Sequence, residues 1–126
     1  MSAAPQTTSS DSEPVSLTIA IGMEGEKSPL LRLVIVGEAI LGRADDEVGI
    51  QPELDLEPFG GRDAGVSRRH AQISLKNGAL FLADLGSVNG TRVNGYALEP
   101  DQACRLRDGD CVELGHLTLR IHLGES

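Results

Sequence analysis

GVSRRHAQISLKNGALFLADLGSVNGTRVNG, residues 65–95, is the stretch that decides the fold. Two short apolar runs lie in its middle, joined at Asn77-Gly78. An Asn-Gly pair between alternating apolar runs is the strongest short-range hairpin signal, because both residues tolerate the positive φ that a tight turn needs. Ala71, Ile73 and Leu75 alternate with Gln72, Ser74 and Lys76, which predicts a strand with one buried face. A hairpin brings its two ends to one edge of the fold. The polar loops that flank it, GVSRRH and DLGSVNG, are therefore expected to be neighbours in space. A third loop, LGRADD at Leu41 to Asp46, carries another arginine and is the natural partner of these two.

Outward from this stretch the same texture repeats. Val15, Leu17, Ile19 and Ile21 alternate with polar or small residues and predict a strand. GMEGEKSP (22–29) reads as a turn. LLRLVIV (30–36) follows as a strand apolar enough to be partly covered on both faces, and EAILG (38–42) as a third. Residues 44–64 are rich in Asp, Glu, Pro and Gly and read as a long loop with one short strand near Asp55. TRVNGYALE (91–99) predicts a hairpin turning at Asn94-Gly95. ACRLR and DCVELG flank Asp108-Gly109 and predict another, with Cys104 opposite Val112 and Leu106 opposite Asp110. LTLRIHL closes the pattern, with Leu117, Leu119, Ile121 and Leu123 on one face.

No segment of helical period occurs, and turn signals recur about every eight to twelve residues. The pattern predicts an all-β sandwich of about ten or eleven short strands over residues 15–123. Residues 1–14 (Ser, Thr, Ala, Pro and acids) read as a disordered N-terminal tail, and 124–126 as the C-terminal end.

Composition narrows the function. The 126 residues suit one domain, and with only two Phe, one Tyr and no Trp the core has to be aliphatic. A net charge of −8 and few stacking rings argue against a nucleic-acid partner. Yet six of the eleven basic residues (Arg43, Arg62, Arg68, Arg69, Lys76 and Arg92) fall between positions 43 and 92, so a local cationic site on an acidic protein is expected. The sequence holds no apolar run long enough to span a membrane and no signal-peptide pattern at its start, so no membrane insertion and a cytoplasmic location are expected. Cys104 and Cys111 take opposite faces in the predicted hairpin and are expected to be free thiols, Cys104 in the core.

An enzyme has little to rest on. Ser67 and His70 lack an orienting carboxylate in the pattern, and GVSRR is not a nucleophile elbow. His70, His116, His122, Cys104 and Cys111 show no metal-ligand spacing, and His116 and His122 take the solvent face. No phosphate-binding P-loop occurs, and no cofactor or metal is expected. Anion binding fits better. A phosphate monoester carries roughly −1.5 to −2 charge and three acceptor oxygens. Arg43, Ser67 and Arg68 supply guanidinium forks and a hydroxyl, provided the loops converge. Asn89 at a loop tip can clamp the main chain of an extended peptide, or simply occupy a left-handed turn position before Gly90. His70 is read as a brace for the GVSRR loop.

Leu41-Gly42-Arg43, Ser67-Arg68-Arg69-His70, Asp84 to Thr91 (DLGSVNGT), Val93-Asn94-Gly95 and LRDGDCVELG together resemble the forkhead-associated (FHA) domain, over about residues 15–123. The resemblance implies an eleven-stranded sandwich of two twisted antiparallel sheets that binds phosphothreonine peptides as a signalling adaptor. It implies that Arg43 and Ser67 hold the phosphate, that Arg68 adds a contact, and that Asn89 bonds the peptide backbone. Gly42, His70, Gly90 and Asn94 are then loop-shaping residues. The partner implied is a threonine-phosphorylated protein or peptide, and the residue three after the phosphothreonine usually sets specificity. Val88 stands where many members have a hydroxyl residue, which implies a weaker or differently supported site. The segment LDLEPFGGRDAGVSRRH is similar to bacterial members. Thr7 and Thr8 in the tail are candidates for an intramolecular contact with the same site. A phosphate-independent scaffold domain that uses a sheet face is the alternative.

Overall fold

The computed structural model describes residues 16–23 and 31–123. These form eleven strands: β1 (Leu17–Met23), β2 (Leu31–Ile35), β3 (Glu38–Gly42), β4 (Leu54–Asp55), β5 (Arg69–Lys76), β6 (Ala79–Asp84), β7 (Thr91–Val93), β8 (Tyr96–Ala97), β9 (Cys104–Leu106), β10 (Cys111–Leu114) and β11 (Leu117–Leu123). One 3-10 turn, Glu57–Phe59, is the only helical element among the described residues. A six-stranded sheet runs β2-β1-β11-β10-β7-β8 and a five-stranded sheet runs β4-β3-β5-β6-β9. The named pairings are antiparallel except β3–β4, which is parallel.

The period-two pattern is what packs the two sheets. Ile19 and Ile21 of β1, Leu117, Leu119 and Ile121 of β11, Ala71 and Ile73 of β5, and Leu80 and Leu82 of β6 all turn inward and are buried. Among the described residues the buried apolar side chains are Ile, Leu, Val and Ala alone, as the composition requires, with Phe59 packed on the margin. Each fully buried aliphatic side chain contributes on the order of 1.5–3 kcal/mol. The two Asn-Gly turns form as expected. Asn77 (φ 54°) and Gly78 (φ 78°) join Lys76 to Ala79, and Asn94 (φ 51°) and Gly95 (φ 88°) join Val93 to Tyr96. Two successive positive φ values give the twist that suits a two-residue hairpin.

Five expectations are corrected. Residues 104–106 and 111–114 do not form a hairpin: β9 pairs with β6 in one sheet, and β10 pairs with β7 and β11 in the other. The turn between them is captured by β11. Gly109 N–H donates to the Ile121 carbonyl at 2.7 Å, and Leu123 N–H to Asp108 Oδ1 at 2.8 Å. Cys104 and Cys111 are both free, and they belong to different sheets rather than to opposite faces of one hairpin. Cys104 is half-buried at the edge of the core rather than inside it. β2 is covered on one face only: Ile35 is buried, while Val34 and Val36 are exposed. β1 runs on through Gly22 and Met23, which the sequence pattern places in a turn. The expected tail with Thr7 and Thr8, the rest of that turn (24–29) and residues 124–126 lie outside the described residues.

Candidate functional site

Three connections meet at one end of the sandwich: the segment after β3, the long loop before β5, and the β6–β7 loop. Hydrogen bonds lock them together. Arg43 N–H donates to the Arg68 carbonyl at 3.1 Å, and Arg43 Nε–H donates to the Val66 carbonyl. Val88 N–H donates to Ser67 Oγ at 3.1 Å, and Asn89 Nδ2 to the Gly65 carbonyl at 3.0 Å. Arg43, Ser67, Arg68 and Asn89 are thus brought onto one patch.

Arg43, Ser67 and Asn89 keep capacity for a ligand. The Arg43 side chain is only 16% exposed and is fixed at Nε, so its two terminal nitrogens are aimed rather than free to swing. Ser67 Oγ already accepts from Val88, which leaves its proton to donate. Asn89 uses one amide hydrogen on Gly65 and retains its oxygen and its second hydrogen. The Val88 side chain is 86% exposed; its backbone, not its side chain, serves the site.

Gly42 is fixed by contact rather than by φ. A Cβ there would lie 1.9 Å from the Arg68 carbonyl oxygen and 2.9 Å from that of Ser67. Gly42→Ala therefore forces the Ser67–Arg68 backbone away from Arg43. A loss of about 1–3 kcal/mol in urea unfolding is expected. A wild-type midpoint would show that the loop yields at no cost.

His70 is fully buried under the same loop. Its Nδ1 accepts from Ser67 N–H at 3.0 Å, which requires the neutral ring, and Nε2–H then donates to the Gly90 carbonyl at 2.8 Å. Burial lowers its pKa, although the Gly90 carbonyl and the Asp84 charge oppose this. The sign follows from linkage: the unfolded chain takes up a proton below about pH 6.5 that the folded ring resists, so stability falls as pH drops below that value. Unfolding free energy measured between about pH 7.5 and 5 is expected to lose this slope in His70→Gln; a slope that survives the substitution would assign it to other groups.

Asp84 organises the third loop. Oδ2 accepts from Gly86 N–H at 2.9 Å and Ser87 N–H at 3.1 Å, and Oδ1 accepts from the Ser87 hydroxyl and from Thr91 Oγ1 at 2.7 Å. Burial pushes its carboxyl up, but these four donors outweigh it and the pKa is lowered. Gly90 (φ 87°) accepts from both His70 and Gly115 N–H, the latter at 3.0 Å. Gly115 itself (φ 62°) packs under the Ala64 and Gly65 carbonyls, so the β10–β11 turn supports the patch from below. Asn94 lies apart. It follows β7 where Gly90 precedes it, and it ties the β7–β8 turn to Asp110 at 2.9 Å and to Cys111 N–H at 2.9 Å.

Sequence reasoning missed Asp84 and Gly115 as supports. Asp84 had a signal: it falls on the inward parity of Leu80 and Leu82, and a carboxylate at an inward position needs donors. It also missed that Asp45 meets Arg68 at 2.8 Å, and that Glu57 lies 3.8 Å from Arg43 and 3.5 Å from Arg62. The Arg68 guanidinium hydrogen-bonded to Asp45 holds that carboxyl below its ordinary value. Groups of three or more metal-ligating side chains do not occur among the described residues, and no helix there is long and apolar enough to cross a membrane.

The model of the FHA-domain family matches residues 39–115. The chain is 44% identical over 104 residues to the glycogen accumulation regulator GarA of Mycolicibacterium smegmatis, covering 78% of this chain and 62% of that protein. It is 40% identical over 88 residues to FhaA of Mycobacterium tuberculosis, covering 68% of this chain and 14% of that protein. An Arabidopsis thaliana FHA domain-containing protein is 34% identical over 96 residues, 72% of this chain and 25% of that protein. Against two of these three relatives the chain spans a quarter of their length or less. Among solved structures, one from a study of phosphothreonine-dependent FHA domain interactions aligns with TM-score 0.62 at 31% identity, covering 88% of this chain and 99% of the other. The FhaA FHA domain complexed with the intracellular domain of Rv3910 aligns with TM-score 0.58 at 33% identity, covering 84% and 99%.

Proposed function

The chain belongs to the FHA-domain family, and on that basis we propose that it binds partner proteins phosphorylated on threonine, as a recognition module rather than an enzyme. The observation that carries this is the convergence of Arg43, Ser67 and Arg68 from two separate loops, with the Ser67 proton left to donate. Arg43 offers a fork held at Nε, Ser67 a hydroxyl, and Arg68 an exposed second cation. This is a complementary set for three phosphate oxygens. Asn89 holds the peptide main chain beside them through its spare oxygen and hydrogen. His70, Gly42 and Gly90 keep the loops at this spacing. Asn94 supports a neighbouring turn and makes no ligand contact.

Hydrogen bonds to a charged group are each worth about 1.5–3 kcal/mol. Removing two such bonds together corresponds to roughly two to four decades of affinity. A phosphothreonine peptide selected from a library is therefore expected to bind at least about a hundredfold more tightly than its unphosphorylated form, measured by calorimetry. Equal binding of the two forms would point instead to a phosphate-independent scaffold domain.

A further inference from the structure

Both arginines of the proposed phosphate site already face a carboxylate. Arg68 Nη1 bonds Asp45 Oδ2 at 2.8 Å. Arg43 Nη1 lies 3.8 Å from Glu57 Oε1, and Glu57 Oε2 lies 3.5 Å from Arg62 Nε. These carboxylates stand on fixed backbone. Asp45 exchanges two 2.9 Å hydrogen bonds with Ile50, and its Oδ1 accepts from Glu47 N–H at 3.1 Å. Glu57 opens the 3-10 turn, and its N–H donates to Asp55 Oδ1 at 3.0 Å.

We propose that Asp45 and Glu57 are specificity-determining residues of this site: they occupy Arg68 and Arg43 in the free protein, so that a phosphate displaces them and a peptide carboxylate does not. The domain would then reject aspartate or glutamate in place of phosphothreonine. The proposal rests on the phosphothreonine reading above.

The physical basis is an exchange of partners. A peptide carboxylate entering at Arg68 replaces one charge-assisted hydrogen bond with another of the same kind, while association still costs translational and side-chain freedom. Nothing is left to drive binding. A phosphate brings roughly −1.5 to −2 charge and three acceptors, so it can span both arginines and the Ser67 hydroxyl at once. The displaced carboxylates then rehydrate readily, because Asp45 is 26% and Glu57 42% exposed. Exposed ion pairs contribute little individually, equivalent to at most about fivefold in affinity each. The threshold is thus low enough for phosphate to cross.

The test uses three peptides of one sequence, with phosphothreonine, glutamate or threonine at the central position. They are titrated by fluorescence anisotropy at low salt against the full chain and its Asp45→Asn, Glu57→Gln and double variants. Both amides are isosteric with the acids they replace, and the Asp45→Asn side chain retains an oxygen for Glu47 N–H. The double variant is expected to bind the phosphopeptide about five- to tenfold more tightly, and to bind the glutamate peptide better than the threonine peptide, where the wild type treats those two alike. Unchanged or weaker phosphopeptide binding would overturn the proposal, since the carboxylates would then orient the arginines. So would a double variant that still fails to distinguish glutamate from threonine. A wild type that does not prefer phosphothreonine over threonine would overturn the phosphothreonine reading itself, and this proposal with it.

Discussion

Replacing Arg43 with alanine is expected to weaken binding of a phosphothreonine peptide by about two to four orders of magnitude, which in practice abolishes it. The size of the effect follows from how Arg43 is held. Its side chain is largely shielded, its backbone N–H is bonded to Arg68 and its Nε to Val66, so the guanidinium is delivered to the site without a search among rotamers. The alanine variant removes the aimed fork and leaves Glu57 facing the phosphate with one cation fewer to offset it. Arg43→Lys is expected to recover little, because an ammonium cannot bond Val66 and present two further donors in a plane. The fold is expected to survive: one loop hydrogen bond from a charged donor is removed, about 1.5–3 kcal/mol. Calorimetric titration with parallel urea unfolding separates the two quantities. An alanine variant that keeps affinity within about threefold would show that Arg43 does not hold the phosphate.

The second large effect is on stability. Asp84→Ala is expected to cost about 3–4 kcal/mol, a large share of the roughly 5–15 kcal/mol that holds a typical domain together. Four donors lose their acceptor at once, two of them backbone N–H groups at the root of the loop that carries Val88 and Asn89. Asp84→Asn is expected to cost about half as much. Its oxygen can still face Gly86 and Ser87 N–H, while the Ser87 and Thr91 hydroxyls rotate to accept from its amide. The ordering Ala worse than Asn, read from urea midpoints, is the signature of a hydrogen-bonded anchor. An alanine variant within about 1 kcal/mol of wild type would show that water replaces the carboxylate. Because the folded pKa of Asp84 is lowered, its contribution is present above about pH 4 and is lost as pH falls through the folded value. That window lies below the one in which His70 acts.

Much of this architecture is legible in the chain because its signals are local. Alternation along Ala71 to Lys76 and Leu117 to Leu123 marks buried faces at a period of two, and those faces are buried. Asn77-Gly78 and Asn94-Gly95 fix their turns through local backbone preference, two successive positive φ values in each. The convergence of the Ser67 and Asn89 loops follows from the central hairpin alone. The family resemblance named the site residues in their order along the chain.

Strand partners were harder to read. A turn signal such as Asp108-Gly109 says that the chain bends, not which strand the next segment joins. Here the β11 backbone outcompetes β9 for β10, because it closes the six-stranded sheet and leaves Cys104 and Cys111 in separate layers. Strict alternation would turn His70 outward beside Ala71. A break in register between Leu41 and Gly42 leaves His70 without a partner on β3 and turns it inward, where it braces Ser67.

Strands, aliphatic core and the end of the sandwich where the polar loops gather were all set by the order of residues along the chain, since each depends on positions only a few apart. The inward turn of His70, the four donors on Asp84 and the pairing of Asp45 with Arg68 across 23 residues came from the folded arrangement alone. Those depend on how two sheets pack and on which side chains the packing leaves within a few ångströms, a distance that no periodicity along the chain records.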